Sequence, residues 1–266
     1  MSLASAIKYI LTNGLMMFFS VVHYLILAKY NFIVRLLSFI FKNVLIVGII
    51  NYILKIYRKC HNIIVTEEPI ESYKHEFKFD LVRISCLEYV VYEIIYYVFP
   101  FITFSWYDLI YFIPVSFLYE VIFDFFHYWT HRLTHSIPYI YQNTHKLHHR
   151  NIALTPIITF VQEPLDLVLT NFLPIFSTLA IFYALQIKIS LFTYACIMMY
   201  KSYVEISGHG PMENTKSCAF PQFIWFPKML GIELYARNHN KHHTYQHCNY
   251  SKRFSLWDKV FGTWRE

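Results

Sequence analysis

His127-Tyr128-Trp129-Thr130-His131-Arg132-Leu133-Thr134-His135 follows directly on residues 109–126, a largely apolar run. Imidazoles at every fourth residue of an α-helix fall on one face. The two stretches together therefore predict a helix that crosses an apolar layer and carries three histidines at its far end. A spanning helix needs roughly 20 predominantly apolar residues, and such windows recur on either side. Residues 84–104 pair with 109–126 through Ser105-Trp106-Tyr107-Asp108, a turn without Lys or Arg whose aromatics suit a membrane interface. Upstream, residues 3–28 and 36–54 predict a hairpin broken by Lys29, Tyr30, Asn31 and Arg35. Downstream, residues 165–185 and 189–204 predict a third, with Lys188 at its tip leaving open whether it spans or is partly immersed. The expected fold is all-α and integral to a membrane, with four to six membrane-embedded helices and a histidine-rich helical cap.

Composition agrees. Hydrophobic residues make up 56% of the 266, aromatics 20% and charged residues 15%, against about 25% charged in soluble domains. Mean hydropathy is +0.35. The formal charge of +6 comes from Lys and Arg scattered between apolar runs, with no single basic face of the kind nucleic acid requires. Cys60, Cys86, Cys196, Cys218 and Cys248 show neither CxxC spacing nor a dense secreted pattern, so they are expected to be reduced structural thiols. The apolar N-terminal stretch runs on too far and lacks a small-residue cleavage site, so a removable signal peptide is not expected. No internal repeat or low-complexity tract divides the chain.

Residues 55–83 are polar, with Lys55, Arg58, Lys59, Glu67, Glu68, Glu71, Lys74, Glu76 and Lys78. The positive-inside rule places this linker in the cytoplasm. Residues 128–163 and 205–266 each follow an even number of crossings from it, so both are expected on the cytoplasmic side.

Those two segments hold most of the 14 histidines. His145-Lys146-Leu147-His148-His149 and His239-Asn240-Lys241-His242-His243 repeat one HxxHH spacing, in which the first and last histidines lie one helical turn apart with the middle one beside them. A lone histidine is more often a hydrogen-bonded core residue than a ligand; three clusters at ligand spacing reverse that expectation. Neutral imidazole suits Zn, Cu, Fe and Ni. One zinc takes three or four protein ligands, which would leave half of these histidines idle, so two metals fit better. The HExxH metalloprotease pattern is missing, since His75-Glu76 lacks the second histidine. Haem ligation would use isolated histidines on facing helices. Redox iron with open coordination positions is the best remaining use. The competing readings are a membrane metal-binding or metal-transport protein, which would place its ligands midway through apolar spans, and a zinc-dependent membrane hydrolase, which would hold one metal.

Residues 124–266 resemble the fatty acid hydroxylase/sterol desaturase superfamily of membrane di-iron enzymes. The resemblance rests on His131-Arg-Leu-Thr-His135 within Asp124-Phe-Phe-His-Tyr-Trp-Thr-His-Arg-Leu, on the two HxxHH boxes in order, and on the tail Asn249-Tyr-Ser-Lys-Arg-Phe-Ser-Leu-Trp257-Asp258-Lys-Val-Phe-Gly262-Thr263. It implies a catalytic region at 124–266 following membrane helices and a polar linker at 1–123, in one structural unit. It implies a ligand set of His131, His135, His145, His148, His149, His239, His242 and His243. His209, in Glu205-Ile-Ser-Gly-His-Gly, is the nearest match to a further family ligand. His127 stands where relatives carry an aromatic or aliphatic residue, and a hydrogen bond to a neighbouring group is its alternative. Gln162-Glu163-Pro164-Leu165-Asp166 departs from the family's His-Pro-Leu-Glu, so nothing carries over there.

The same resemblance implies two non-haem irons and O2 as co-substrate, acting on a membrane lipid. Electrons would come from NADH through external cytochrome b5 and its reductase at the endoplasmic reticulum, because the chain has no Gly-rich dinucleotide fingerprint. The tail spacing is most similar to the C4-methyl sterol oxidase branch, with fatty acyl or sphingoid hydroxylation as the alternative. Asp124 and Glu120 are candidate acceptors for the ligand histidines, or partners of Arg132 or another cation. Residues 137–141 and 223–226 suit a lipid pocket, and Lys146, Arg150, Arg237, Lys241, Lys252 and Arg253 suit an acidic electron donor or anionic headgroups.

Overall fold

Asn31 breaks the first apolar run and starts the second: its side-chain oxygen accepts the Val34 N–H at 3.2 Å, the cap a helix N-terminus requires. On either side lie α1 (Leu3–Lys29) and α2 (Phe32–His61). They are followed by α3 (Tyr73–Val98), α4 (Tyr107–Ser136), α5 (Pro164–Ala184) and α6 (Leu191–Gly208). The shorter α7 (Trp225–Met229), α8 (Ala236–Tyr245) and α9 (Leu256–Val260) complete the chain. This computed structural model describes residues 3–61, 73–150, 155–210 and 219–266. Linker residues Glu67, Glu68 and Glu71, and Cys218, lie outside the described residues, as do the side chains of Cys60 and Arg150.

The six long helices alternate in direction. At one end Asp108, opening α4, accepts a hydrogen bond from Thr193 of α6 at 3.2 Å, and Ile102 bridges Ser190. At the other, Arg83 of α3 donates to the Gln162 carbonyl just before α5 at 2.7 Å. α1 lies against α6, α2 against α3, and α4 against α5. Large apolar side chains face outward around the bundle, among them Ile10, Leu11, Phe18, Phe41 and Ile110, as a lipid-facing surface demands. Exposed Trp106 and Tyr107 stand at one end, where interfacial aromatics belong.

Among the described residues, four helices are long and apolar enough to cross a membrane: Tyr9–Lys29, Phe32–Ile56, Tyr107–Ser136 and Pro164–Ala184. The protein is an all-α integral membrane protein. α3 and α6 are not among the four, and the expected run at 84–104 is corrected to a helix that starts earlier and stops at Val98. The charges that lower their hydropathy point inward. Glu93 and Glu88 of α3 pair with Arg35 and Lys42 of α2 at 3.2 and 3.3 Å, and Lys201 of α6 pairs with Glu205 one turn on. Intramembrane charge is tolerated when it faces the bundle and finds a partner. α5 passes through a π-helical turn at Val168–Phe172, a distortion often found at functional sites.

Candidate metal centre

α4, with 30 residues, is about 45 Å long, whereas an apolar core is about 30 Å thick; its last turns, with His131 and His135, therefore stand at or beyond the layer's edge. Extended Ile137 and then Pro138 stop the helix. The chain folds back through a π-helical turn at Tyr141–His145 and a 3-10 turn at His148–Arg150, which carry the second box. α8 brings the third, and His209 is the C-cap of α6.

Among the described residues, these elements bring nine imidazoles into two groups, each with one nitrogen per ring within 4.8 Å of the others. His131, His135, His145, His149 and His242 form the first; His148, His209, His239 and His243 form the second. The division explains the HxxHH spacing. In each box the first and last histidines, one turn apart, enter the same group, and the middle one reaches across to the other.

The ring nitrogens meet head on. In the first group the Nε2 atoms of His131 and His145 are 3.0 Å apart, those of His145 and His149 3.0 Å, and those of His149 and His242 3.2 Å. In the second, His148 to His209 is 3.2 Å, His209 to His239 3.1 Å and His239 to His243 3.2 Å. Four of the opposite nitrogens are committed to acceptors, whereas the Nδ1 atoms of His148, His149 and His243 are buried without a hydrogen-bond partner among the described residues. Nδ1 of His131 donates to the Tyr250 carbonyl at 2.8 Å, that of His145 to Asp166 Oδ1 at 2.8 Å, that of His242 to the Cys248 carbonyl at 2.8 Å, and that of His209 to the Glu205 carbonyl at 2.8 Å. A neutral imidazole has one N–H, so with Nδ1 donating each Nε2 is a bare lone pair. His131 and His145 thus face each other lone pair to lone pair, an arrangement that needs a cation between them.

Burial favours the neutral ring at His148, His149, His209, His239, His242 and His243. It lowers His242 to about 3 and His209 to about 4, and it puts His148, His149, His239 and His243 well below the usual histidine range, with neighbouring imidazoles adding to the effect. The spacing also suits a metal: nitrogens about 2.1 Å from a common ion stand about 3.0 Å apart at right angles and about 3.4 Å at tetrahedral angles. His135 Nε2 is buried without a hydrogen-bond partner, as a ligand atom awaiting an ion would be. The donor set therefore fits two metal ions.

His127 belongs to neither group. Its Nδ1 donates to the Thr170 carbonyl, in the π-helical turn of α5, at 2.6 Å, and its ring stacks on Phe123 with centroids 5.9 Å apart. Asp124 and Glu120 do not accept from ligand histidines, correcting one of the two expected roles. Asp124 takes the backbone N–H groups of Lys252, Arg253 and Phe254 at 2.7, 2.9 and 3.0 Å, and Glu120 pairs with Arg253 at 2.7 Å. Both hold the C-terminal tail, while Arg132 bonds to Tyr128. Nor do Lys252 and Arg253 belong to a surface patch. Arg253 is fully buried between Glu120 and Glu205, and Lys252 reaches Glu205 at 3.3 Å. Lys146 and Arg237 are exposed and Lys241 half-buried. Phe223 and Phe226 pack with Phe117, Phe220 and Phe254 in a small core, so the pocket expected at 223–226 is not there.

The acceptors that orient the rings escaped the sequence. Asp166 carried a faint signal, a carboxylate two residues after a proline beside the histidine boxes; the carbonyls of Cys248, Tyr250 and Glu205 carried none. A polar cavity under the rings is lined by His127, Thr159, Gln162, Asn171, Glu205 and Lys252, among others.

Fold and site define a class: an integral membrane helical protein with two adjacent all-imidazole groups, each able to hold a metal ion, at the edge of its bundle. The family model for fatty acid hydroxylases matches residues 116–263, and the chain belongs to that family. It is 31% identical over 157 residues to the fatty acid hydroxylase vlmA of Lecanicillium sp, covering 55% of this chain and 40% of that protein. To a cholesterol 25-hydroxylase-like protein of Danio rerio it is 26% identical over 196 residues, 67% of this chain and 71% of that one. To a Delta(7)-sterol 5(6)-desaturase of Gibberella zeae it is 27% identical over 152 residues, 56% and 41% respectively. The match thus spans less than half the length of two of these three relatives. No solved structure matches the chain.

Proposed function

We propose that the chain is an O2-dependent di-iron oxidoreductase that hydroxylates or desaturates a membrane lipid, with a sterol or other long-chain lipid as substrate. The observation that carries this reading is the pair of adjacent imidazole groups with converging ring nitrogens, four of which are bare Nε2 atoms because their Nδ1 donates to an acceptor. His131, His135, His145, His149 and His242 would hold one iron; His148, His209, His239 and His243 the other. Five nitrogens exceed the tetrahedral set of a structural zinc and suit a metal of higher coordination. His127 is a positioning residue against the Thr170 carbonyl.

Bound irons would supply two-electron reduction of dioxygen and attack on a C–H bond inert to acid, base or nucleophile. For hydroxylation, R–H, O2, two electrons and two protons give R–OH and water. The chain's own residues keep most of the rings neutral by burial, aim them through Asp166 and the carbonyls of Cys248, Tyr250 and Glu205, and exclude bulk water. The family membership supports an outside electron source, NADH through cytochrome b5 and its reductase, meeting exposed Lys146 and Arg237. The cations of residues 55–83 support a cytoplasmic site at the endoplasmic reticulum. Cysteines placed at exposed Tyr139 and Tyr245 should then label from the cytoplasmic side and one at Trp106 from the lumenal side.

The deciding experiment is metal analysis of anaerobically purified protein together with turnover of membrane lipids under NADH and O2. About two irons per chain, lost with oxidation in His149→Ala, is the expected result. One tightly held zinc, or product formed without oxygen, would overturn the proposal.

A further inference from the structure

The C-terminal tail descends along the outside of the bundle. Phe117 of α4 meets Phe220, Phe226 and Phe254 with ring centroids 5.4, 5.4 and 5.2 Å apart. Trp257 of α9 donates to the Val121 carbonyl at 3.0 Å and packs on Phe125. Phe117 precedes His131 by fourteen residues and Val121 by ten, about 21 and about 15 Å at helical rise. With His131 at or beyond the edge of an apolar layer about 30 Å thick, these contacts lie at the depth of that layer. α1, which starts at the end where α4 finishes, gives a depth independently. Tyr9 opens its apolar span; the Tyr9 hydroxyl donates to the Gln222 carbonyl at 2.7 Å, and its ring meets Trp225 at 5.1 Å. One turn further in, Asn13 donates to the Pro221 carbonyl at 3.0 Å. Residues 220–232 and α9 are therefore held within the leaflet on the histidine side.

What this flank presents outward has two chemistries. Met229, Leu230 and Val260 are 78, 59 and 58% exposed. Lys228 and Lys259 beside them are also exposed, and Lys259 Nζ donates to the Gly231 carbonyl at 2.6 Å, joining the end of α7 to α9 in one patch. No carboxylate among the described residues pairs with either lysine. The acids next to them in sequence are committed elsewhere: Asp258 accepts the N–H groups of Tyr250 and Ser251, and Glu233 accepts from the Tyr235 hydroxyl at 2.6 Å. The helices that support the patch carry lipid-facing side chains at the same level, for Ile10 and Leu11 follow Tyr9, Leu118 follows Phe117, and all three are exposed. Apolar tips flanked by unpaired lysines are the arrangement of an interfacial segment, whose apolar side chains enter the acyl region while the lysines extend to headgroups.

We propose that α7, the turn after it and α9 form an interfacial anchor seated in the leaflet on the histidine side, with Met229, Leu230 and Val260 among acyl chains and Lys228 and Lys259 on the headgroups of anionic phospholipids. This anchor is independent of the reaction and of any metal. Its consequence nevertheless reaches the histidines. Asp258 of α9 holds the Tyr250 N–H, and the Tyr250 carbonyl takes the Nδ1 proton of His131. The bilayer thus helps to keep against α4 the element that orients a histidine of the first group.

The test uses the full chain reconstituted in bilayers. Met229→Trp adds an indole at the exposed tip, and Tyr245→Trp adds one on α8 as the reference; each is read as the emission gained over wild type. In phosphatidylcholine with brominated acyl chains the emission added by Met229→Trp should be mostly lost, and aqueous iodide should leave it intact. Tyr245→Trp should respond the opposite way. In a second measurement, phosphatidylserine mixed into the phosphatidylcholine should raise the melting temperature of wild type. Lys228→Gln should reduce that stabilisation by about fivefold in the unfolding equilibrium, the effect of one lysine at an anionic surface. Inorganic phosphate added to the protein in detergent should give no such rise. Failure of brominated chains to quench Met229→Trp, the result for a surface in water or under a partner protein, would overturn the proposal. So would equal quenching of Tyr245→Trp, equal stabilisation of wild type and Lys228→Gln by phosphatidylserine, or a rise reproduced by inorganic phosphate.

Discussion

Asp166→Asn isolates the contribution of one oriented ligand. The Asp166 carboxylate, 1% exposed, accepts the Nδ1 proton of His145 at 2.8 Å. His145 is central to the first group, since its Nε2 lies 3.0 Å from those of both His131 and His149. Asparagine keeps the shape but loses the charge, and its amide can donate to Nδ1, which moves the ring proton onto Nε2 and closes the ligand position. Partners that orient a ligand histidine are worth about 10- to 100-fold in metal affinity, or about 1.4 to 2.7 kcal/mol. This agrees with the roughly 1.5–3 kcal/mol of a hydrogen bond to a charged group. No residue of the second group bonds to the Asp166 side chain, so the loss should fall on one site. Anaerobic titration of metal-depleted protein with ferrous iron should show two tight sites in wild type. The variant should show one unchanged and one weakened 10- to 100-fold. Two unchanged sites, or equal weakening of both, would refute the reasoning.

His209→Ala should weaken the second site by the same 10- to 100-fold, whereas His127→Phe should keep full metal content and lose about 1 kcal/mol, the bond to the Thr170 carbonyl; metal per chain after gel filtration, with melting curves, separates them. Asp124→Ala strands three backbone N–H groups of the tail and should cost at least about 3 kcal/mol, with Asp124→Asn milder because one acceptor remains; an unchanged melting temperature for the alanine variant would mean the tail is held elsewhere. Metal-free protein should be acid-sensitive: His209 and His242 have folded-state values of about 4 and about 3, against about 6.5 unfolded. Between those limits the unfolded chain binds more protons, so their contribution is complete above about pH 6.5 and lost as pH falls through 4 towards 3. Melting temperatures across pH 4 to 8 that stay flat would contradict it.

Helical spacing made the three boxes legible, because a four-residue interval is a statement about one helix face. The division into two sites was not legible, since it depends on α8 approaching the turns after α4 from nearly a hundred residues away. Backbone acceptors such as the Cys248 and Tyr250 carbonyls leave no trace in side-chain identity at all. Hydropathy placed α1, α2, α4 and α5 well but could not recognise that Glu88, Glu93 and Lys201 face inward, because their partners sit on other helices. The same limit made Arg253 look like a surface cation when Glu120 and Glu205 bury it.

The tail's role follows from its backbone. Gln246 and Asn249 both adopt left-handed φ, 58° and 54°, a conformation asparagine tolerates better than most residues. Asn249 is fixed there by bonds from its amide to the Asn238 and Arg265 carbonyls and from the Arg265 N–H to its oxygen. Asp258 then takes the N–H groups of Tyr250 and Ser251 at 2.8 and 2.9 Å. The reversed segment can therefore present the Cys248 carbonyl to His242 on α8 and the Tyr250 carbonyl to His131 on α4. Those two histidines belong to one metal group but to helices far apart in sequence, and the tail is what sets them in register. A metal ion held at that group would thus draw on the folding free energy of the tail, whereas the contacts of α2 with α3 and of α1 with α6 stand apart from it. The bundle supplies the scaffold, and the docked tail makes the first group a site.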